Sequence, residues 1–482
     1  MKYLYSQLKT YEKSDFYPFH MPGHKRNPNV TGADLPYGID ITEIEGFDDL
    51  HHADGILLEA EKRAARVYSA EETHYLVNGS TAGLLSAVMG CTARGGKILM
   101  ARNCHKSVYN AVYMKELYPI YIYPEFDPET ELNGEIRPEK VRLLLEENKD
   151  VQAVVITSPT YDGAVSDTEE IAGIAHERGI PLIVDEAHGA HFGFHPYFPD
   201  NSNAKGADVV IHSFHKTMPS LTQTALIHMN GKLADRKKIR KYLHIIQTSS
   251  PSYVLMSAID ECIRLLEENK DRMFENYTGL LREIRNELSL LKNMRLVQSR
   301  IFDRSKLTIS VKDTFLKSRS TEKIIPFTGR DLYIRLLKEY HLQAEMAAGS
   351  YVIAMTAPGD TREGMKRLAE ALTETDRILC RRDPGPCVKD REFGRNEQVY
   401  TVWEAENMRD SGKVCTEHTV WNKAAGKTAL EYAYLYPPGI PLVVPGERIS
   451  EDTAEQIRKY REAGFRIEGT EKREEIEVLK DG

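Results

Sequence analysis

The chain has little of what would mark it as secreted, membrane-bound or nucleic-acid-binding. Its 482 residues hold six cysteines (Cys91, Cys104, Cys262, Cys380, Cys387 and Cys415), scattered and with no CxxC pair. That pattern is neither a disulfide framework nor a zinc-ligand spacing. No apolar run approaches the ~18 residues needed to span a bilayer, so no membrane partner is expected. Positive charge is not in excess: 64 Lys and Arg face 72 Asp and Glu, for a net charge of −8. Phosphate backbones call for concentrated Lys and Arg, so nucleic acid is not expected as a partner either. The scattered cysteines and the absence of a leader pattern point to a reducing, cytoplasmic setting. What remains is a globular composition, 41% hydrophobic and 28% charged, in a chain long enough for two or three domains.

Residues 1–40 include PFHMPGHKRNP and lack a sustained helical period. They read as an extended arm whose Tyr11, Phe16, Tyr17 and Phe19 should pack on the body or on a neighbouring subunit. Pro22 and Gly23 deny His20 and His24 the helix that a metal pair would need, and no metal is expected. DITEIEGFDDLHHADG at 40–55 is an acidic loop, read either as a solvated face or as the lining of a site. Short apolar runs then alternate with helical stretches from Tyr75 to Asp185, the pattern of βαβ units and a mostly parallel sheet. A long helical region, Tyr253 to Leu291, links this large domain to a smaller one with strands near Leu307–Val311 and Tyr351–Met355. A charged, Pro- and Gly-containing linker near Arg381–Asn396 precedes a last segment. The expected division is an arm at 1–45, a large domain at 46–270, a small α+β domain at 271–380 and a C-terminal domain at 397–482.

The chemistry concentrates between Pro181 and Met218. PLIVDEAHG ends a buried strand in Asp185, and ADVVIHSFHKTM ends another just before Lys216. Open α/β sheets bind ligands at the carboxyl ends of such strands. A carboxylate and an amine brought together there suit pyridoxal phosphate, whose carbonyl needs a lysine and whose pyridine nitrogen needs an acidic partner. VNGSTAG at 77–83 adds a strand, a glycine turn, two hydroxyls and a helix start, the layout of a phosphate cradle, although a simple capping turn looks similar. His188, His191 and His195 also read as a metal cluster, but Lys216 downstream favours the cofactor.

These motifs together resemble the ornithine/lysine/arginine decarboxylases, pyridoxal-phosphate enzymes of the aspartate-aminotransferase-like fold type I. The resemblance runs through HMPGHKRN at 20–27, DITEIEGFDDLHHADG at 40–55, VNGSTAG at 77–83, RNCHKSVYNA at 102–111, SPTYDGAVSD at 158–167, VDEAHGAHFGFHPYFP at 184–199, HSFHKTMPSLTQTA at 212–225, QTSSPSY at 247–253 and YPPGIPLVVPGERI at 436–449. In length the chain is similar to the short members of Gram-positive bacteria, whose best-known type acts on arginine.

The resemblance implies an α/β large domain with a mostly parallel sheet, a smaller α+β domain and a C-terminal decarboxylase domain. It implies that Lys216 carries the cofactor, that Asp185 pairs with the pyridine nitrogen and that His105 stacks on the ring. Ser80, Thr81, Ser213 and His215 would hold the phosphate, with Thr248 and Ser249 reaching the neighbouring subunit's phosphate in a homodimer or larger assembly. His188 would lie close to the ring, and either it or Lys216 would return a proton to Cα. Glu447, with Asp48 and Asp49 behind it, would meet the distal cation of a basic amino acid. The implied reaction is decarboxylation of arginine to agmatine, a step of polyamine biosynthesis, with lysine or ornithine as alternative substrates. An aminotransferase and a catalytically silent regulatory paralogue are the readings from other classes. No arginine clamp for an α-carboxylate is evident, which weighs against the first; Lys216 and Asp185 are both intact, which weighs against the second.

Overall fold

The computed structural model describes residues 3–298, 301–317, 324–382, 395–412, 414–435, 439–462 and 464–480. Its centre is a seven-stranded sheet. In spatial order the strands are Glu72–Leu76, Ala225–Met229, Val209–Ser213, Leu182–Asp185, Val151–Thr157, Lys97–Ala101 and Tyr118–Ile122. The last five run parallel to one another. Ala225–Met229 is antiparallel to both of its neighbours, so six strands share one direction and one opposes them. The alternating pattern of the sequence points to parallel strands and does not reveal this reversed one.

Every residue of the three strands Leu182–Asp185, Val209–Ser213 and Ala225–Met229 is buried. This is why they read as continuous Val/Ile/Leu runs rather than as alternating ones. Two cores pack against the sheet. One collects Leu84, Val108, Val141, Ile171 and Ile239 from the covering helices. The other collects Tyr68, Phe214, Tyr253, Ile259 and Leu281 and continues into the small domain through Leu307 and Leu332. The Gly79–Cys91 helix presses close to the sheet: a Cβ at Gly83 would fall 2.7 Å from Leu76 Cδ1 and 3.3 Å from Ile211 Cγ1.

The Tyr253–Leu288 helix is 36 residues long and unbroken. The expected boundary at 270 therefore falls inside one element. The small domain builds a four-stranded antiparallel sheet from Arg295–Leu296, Lys306–Ser310, Tyr351–Met355 and Met346–Ala347, with the Gly329–Glu339 and Arg362–Ile378 helices packed beside it. The C-terminal unit has its own core around Trp421, Val443, Ile457 and Val478. Pro384, Gly385 and Pro386 of the expected linker, and Tyr436, Pro437 and Pro438, lie outside the described residues.

The first residues depart from the expected extended arm. Leu4–Glu12 is a helix with Leu4 and Leu8 buried, tied down by the Leu4 backbone N–H donating to Asp260 Oδ2 at 2.6 Å. Asp260 also pairs with the buried Arg63 at 2.7 Å. One buried carboxylate thus anchors a helix too short to hold itself. Beyond it Phe16, Tyr17, Phe19 and Met21 stand exposed.

Candidate active site

The parallel strands end on one edge of the sheet, and each end delivers part of the site. Leu76 leads into Val77–Thr81, Ala101 into Arg102–His105, Thr157 into Ser158–Tyr161, Asp185 into His188, and Ser213 into His215 and Lys216. Expected site residues from four of these five stretches are thereby brought to one edge, and the fifth adds Tyr161.

The phosphate end is built by Gly79, Ser80 and Ser213. Gly79 has φ +71°, which lets the chain turn sharply from strand to helix. The helix it opens is 13 residues long, and Asn78 provides no side-chain cap. Its first amides are left for an anion, favoured also by the helix dipole. Ser80 Oγ and Ser213 Oγ are 2.5 Å apart. His215 Nδ1 lies 3.0 Å from the Thr224 carbonyl, and Thr81 is exposed beside Ser80. Thr248 is held at the rim of this cradle by its own chain: its N–H donates to Asn78 Oδ1 at 3.3 Å, and its carbonyl lies 2.8 Å from His51 Nε2. Thr248 and Ser249 are both exposed.

Around Lys216 the groups are buried and mutually tuned. Lys216 Nζ lies 3.0 Å from His188 Nε2. Burial pushes the lysine below its ordinary range; Asp185 opposes that shift and Lys306 adds to it. An amine held this way gives up its proton more readily than a solvated lysine does. Burial first, and then the Lys216 charge, push His188 well down. The same two causes push His105 down to about 4, so at pH 7 its ring is neutral. His105 also caps the Lys106–Met114 helix, its Nδ1 accepting from the Ser107 N–H at 3.3 Å.

Asp185 is 3% exposed and accepts a hydrogen bond from the Ala187 N–H at 3.2 Å. Burial raises it above the usual carboxylate range, with Lys216 pulling it back. A desolvated carboxylate that is not fully compensated calls for a cationic partner, and a protonated pyridine nitrogen is one. Uncapped amides with two hydroxyls at one end, a poised amine in the middle and a needy carboxylate at the other form a donor set that fits pyridoxal phosphate.

The three histidines of VDEAHGAHFGFH go to different partners. His188 faces Lys216, His191 Nε2 lies 2.9 Å from Asp303, and His195 Nε2 lies 3.1 Å from Glu275. They do not converge.

The three expected substrate carboxylates are committed elsewhere. Glu447 is 1% exposed and forks onto Arg102: Nε donates to Oε1 at 3.0 Å and Nη2 to Oε2 at 2.9 Å. Asn396 Nδ2 and the Val444 N–H complete it at 3.0 and 3.1 Å. Arg102 Nη1 also donates to the Pro441 carbonyl at 2.7 Å. Glu447 therefore fastens the C-terminal unit to the turn that carries His105, and its oxygens are not offered to a substrate cation. Glu447→Gln leaves a buried guanidinium without its counter-charge and is expected to destabilise by about 3–5 kcal/mol. Urea unfolding checks this; a loss under 1 kcal/mol contradicts the latch.

Asp48 sits in the left-handed region at φ +70°. Its oxygens accept from the N–H groups of Asp49, Asp54, Gly55 and Leu57 at 2.8–3.0 Å. Burial alone would raise its pKa, but those backbone donors outweigh it and hold the group below the ordinary value. Asp48 closes the acidic loop on itself. Asp49 likewise accepts from the His51 N–H and lies 3.0 Å from His52 Nδ1.

The structure offers a different carboxylate, Glu345. Tyr161, whose ring meets His188 edge-on at 4.8 Å, donates its hydroxyl to Glu345. The Glu345 charge is felt at Lys216. Sequence reasoning missed it: HLQAEMAAGSY carries no motif, and the contact joins residues 184 apart in the chain.

Comparison with known proteins places the chain in a family. Residues 3–331 match the family described as Orn/Lys/Arg decarboxylase, major domain, and residues 391–467 match its C-terminal domain. The chain is 30% identical to the arginine decarboxylase of Bacillus subtilis (strain 168), over 97% of this chain and 95% of that one. It is 23% identical to the constitutive lysine decarboxylase of Escherichia coli (strain K12), over 92% of this chain and 75% of that one. The solved structure of the Francisella novicida lysine decarboxylase superposes with a TM-score of 0.81 at 18% identity, covering 99% of this chain and 81% of that one. The E. coli constitutive enzyme superposes at 0.78, covering 99% and 82%. The fold is that of the fold-type I pyridoxal-phosphate enzymes, as expected. With a site that fits the cofactor, and a family match over both its large and its C-terminal parts, the chain belongs to the Orn/Lys/Arg decarboxylase family of pyridoxal-phosphate-dependent enzymes.

Proposed function

We propose that the protein decarboxylates arginine, giving agmatine and carbon dioxide, and does so in the cytoplasm as at least a homodimer. The observation that carries the choice of arginine is the near-end-to-end match to the Bacillus arginine decarboxylase, against the weaker match to the E. coli lysine enzyme. The exposed apolar residues Phe16, Tyr17, Phe19 and Met21, and the exposed hydroxyls of Thr248 and Ser249, support a neighbouring subunit that covers the former and receives the latter.

Bound at Lys216, pyridoxal phosphate supplies an acceptor for the electron pair left on Cα when the α-carboxylate departs. The chain's own residues do the rest. Asp185 holds a proton on the pyridine nitrogen by its negative charge. Ser80, Thr81, Ser213 and His215 would hold the phosphate, and the neutral His105 ring would help to exclude water beside the cofactor. Lys216 Nζ, 3.0 Å from His188 Nε2, is placed to exchange a proton with it, so either group can return one to Cα. Glu345, steadied by Tyr161, meets the distal cation. A carboxylate can accept two parallel hydrogen bonds from a guanidinium, a geometry that an ammonium does not offer.

Glu345→Gln is expected to raise KM for arginine on the order of 10- to 100-fold, the scale of a hydrogen bond to a charged group, with cofactor binding unchanged. The test is a panel of arginine, lysine, ornithine and the neutral isostere citrulline, scored by amine product with both proteins. Arginine should lead in the unmodified protein and lose its lead in the variant. Equal turnover of citrulline would remove the cation-selective pocket, and a clear preference for lysine or ornithine would reassign the substrate within the class.

A further inference from the structure

The first residue of the Lys306–Ser310 strand is a lysine with no exposed surface. Its Nζ makes no hydrogen bond and lies 3.3 Å from Asp303 Oδ2. Asp303 Oδ1 is 2.9 Å from His191 Nε2 and also accepts from the Ser305 N–H at 2.9 Å. Asp303, His191 and Lys306 are each at most 1% exposed. Asp303 and Lys306 come from the small domain and His191 from the large one, and the two parts meet at the active-site turn. The Asp303 N–H donates to the Gly163 carbonyl at 2.8 Å, and a Cβ at Gly163 would meet Phe302 and, at 3.1 Å, Lys306 Cγ. That turn carries Tyr161, whose ring rests on His188.

Packing gives no reason for a charge at this position. A buried ion pair is often no more stabilising than apolar side chains of similar volume. Lys306 Nζ, His188 Nδ1, His191 Nδ1 and Ser305 Oγ are all buried without a hydrogen-bond partner, which a design for stability alone would avoid. The charge does have a recipient: both His188 and Lys216 feel Lys306 as a positive neighbour that pushes them down.

We propose that Lys306 is a positioning residue for the reaction: its buried ammonium, tethered by Asp303 and packed on the Gly163 turn that carries Tyr161, keeps a proton off the Lys216 amine so that this amine stays ready for the cofactor and the substrate. The proposal rests on the reading of Lys216 as the cofactor lysine, though not on the identity of the substrate. Other groups act on the same pair. From the large domain these are Asp185, which raises Lys216, and His105 and His215, which press on His188. Glu186 and His212 reach the pair only through Asp185. From the small domain Glu345 raises Lys216, while Arg285 donates to the Lys306 carbonyl at 3.2 Å and lies near the Asp303 charge. Lys306 is the small-domain cation that opposes Glu345 at Lys216.

The test uses Lys306→Met, which keeps the length and removes the charge, and Lys306→Arg, which restores the charge. In each cofactor-loaded protein the visible band of the lysine-bound cofactor is titrated with pH, with no substrate present; its midpoint reports the proton on Lys216 Nζ. The methionine variant should move the midpoint up by about one pH unit, the lower end of the effect of a nearby like charge, and the arginine variant should return most of the way. A folded methionine variant with an unmoved midpoint, or an arginine variant that behaves like methionine, overturns the proposal. A second measurement needs no variant: the Lys306 side-chain nitrogen in the unmodified protein should give the resonance of an ammonium at pH 7, and a neutral amine there overturns the proposal even if the variants do not fold. An altered substrate preference in the panel above would leave these midpoints untouched, so the two readings fail separately.

Discussion

Lys216→Ala is expected to abolish turnover while leaving the protein folded. Lys216 lies in a short helical turn, Phe214–Thr217, directly after a fully buried strand, and the buried apolar contacts of that turn come from Phe214 and Met218 rather than from the lysine. Removing the side chain also relieves a desolvated amine, so stability should change little. The chemistry should be lost, because Lys216 Nζ is the amine within hydrogen-bond distance of His188. Turnover should fall on the order of 10³-fold or more, the scale seen when the group at the centre of a catalytic unit is removed. The visible band of the lysine-bound cofactor should disappear with it, while circular dichroism stays that of the unmodified protein. Turnover within tenfold of the unmodified enzyme would mean that Lys216 is not the cofactor lysine.

Asp185→Asn is expected to have the next largest effect, and it separates cofactor binding from catalysis. The carboxylate ends the Leu182–Asp185 strand, in register between Thr157 and Ile211 of its neighbours, so an amide of the same shape should sit in the same place. It would lack the negative charge that holds a proton on the pyridine nitrogen, and a neutral ring is a poor acceptor of electrons. Preorganised electrostatic groups of this kind are worth about 3–4 kcal/mol, so kcat should fall roughly 10²- to 10³-fold. The phosphate cradle at Ser80 and Ser213 is untouched, so the cofactor should remain bound. A variant with near-normal kcat would show that the strand end does not face the pyridine nitrogen.

The parts of this site that could be read from sequence are those where chemistry and local structure coincide. Asp185 and Lys216 each follow a short β-branched run, and such runs end where ligands bind. Ser80 follows a glycine turn that opens a helix. Strand direction was not legible in the same way: Ala225–Met229 is as apolar and as buried as its parallel neighbours, and only its two antiparallel ladders reveal the reversal. The carboxylates were the hardest to place. Glu447 and Asp48 stand in conspicuous motifs, but a carboxylate can serve a guanidinium, a backbone turn or a ligand, and residue type does not distinguish them. Glu447 is claimed by Arg102, 345 residues away in the chain, and Asp48 by four backbone N–H groups of its own loop and the start of the next helix. Glu345 and Lys306 reach the site from the small domain across similarly long separations, where neither spacing nor periodicity carries a signal. The Leu4–Glu12 helix was missed for a related reason: two buried leucines in nine residues are too few to stand out as a period, and its stability comes from Asp260 and not from its own sequence.

The central claim is that this site removes the α-carboxylate of a basic amino acid. It is tested most directly by incubating the cofactor-loaded protein with arginine labelled in its carboxyl carbon and measuring labelled carbon dioxide and agmatine together. The account predicts that the two appear mole for mole. Consumption of arginine with the label retained in a keto acid would make the protein an aminotransferase, and no consumption of arginine, lysine or ornithine by protein showing the lysine-bound cofactor band would contradict the account outright.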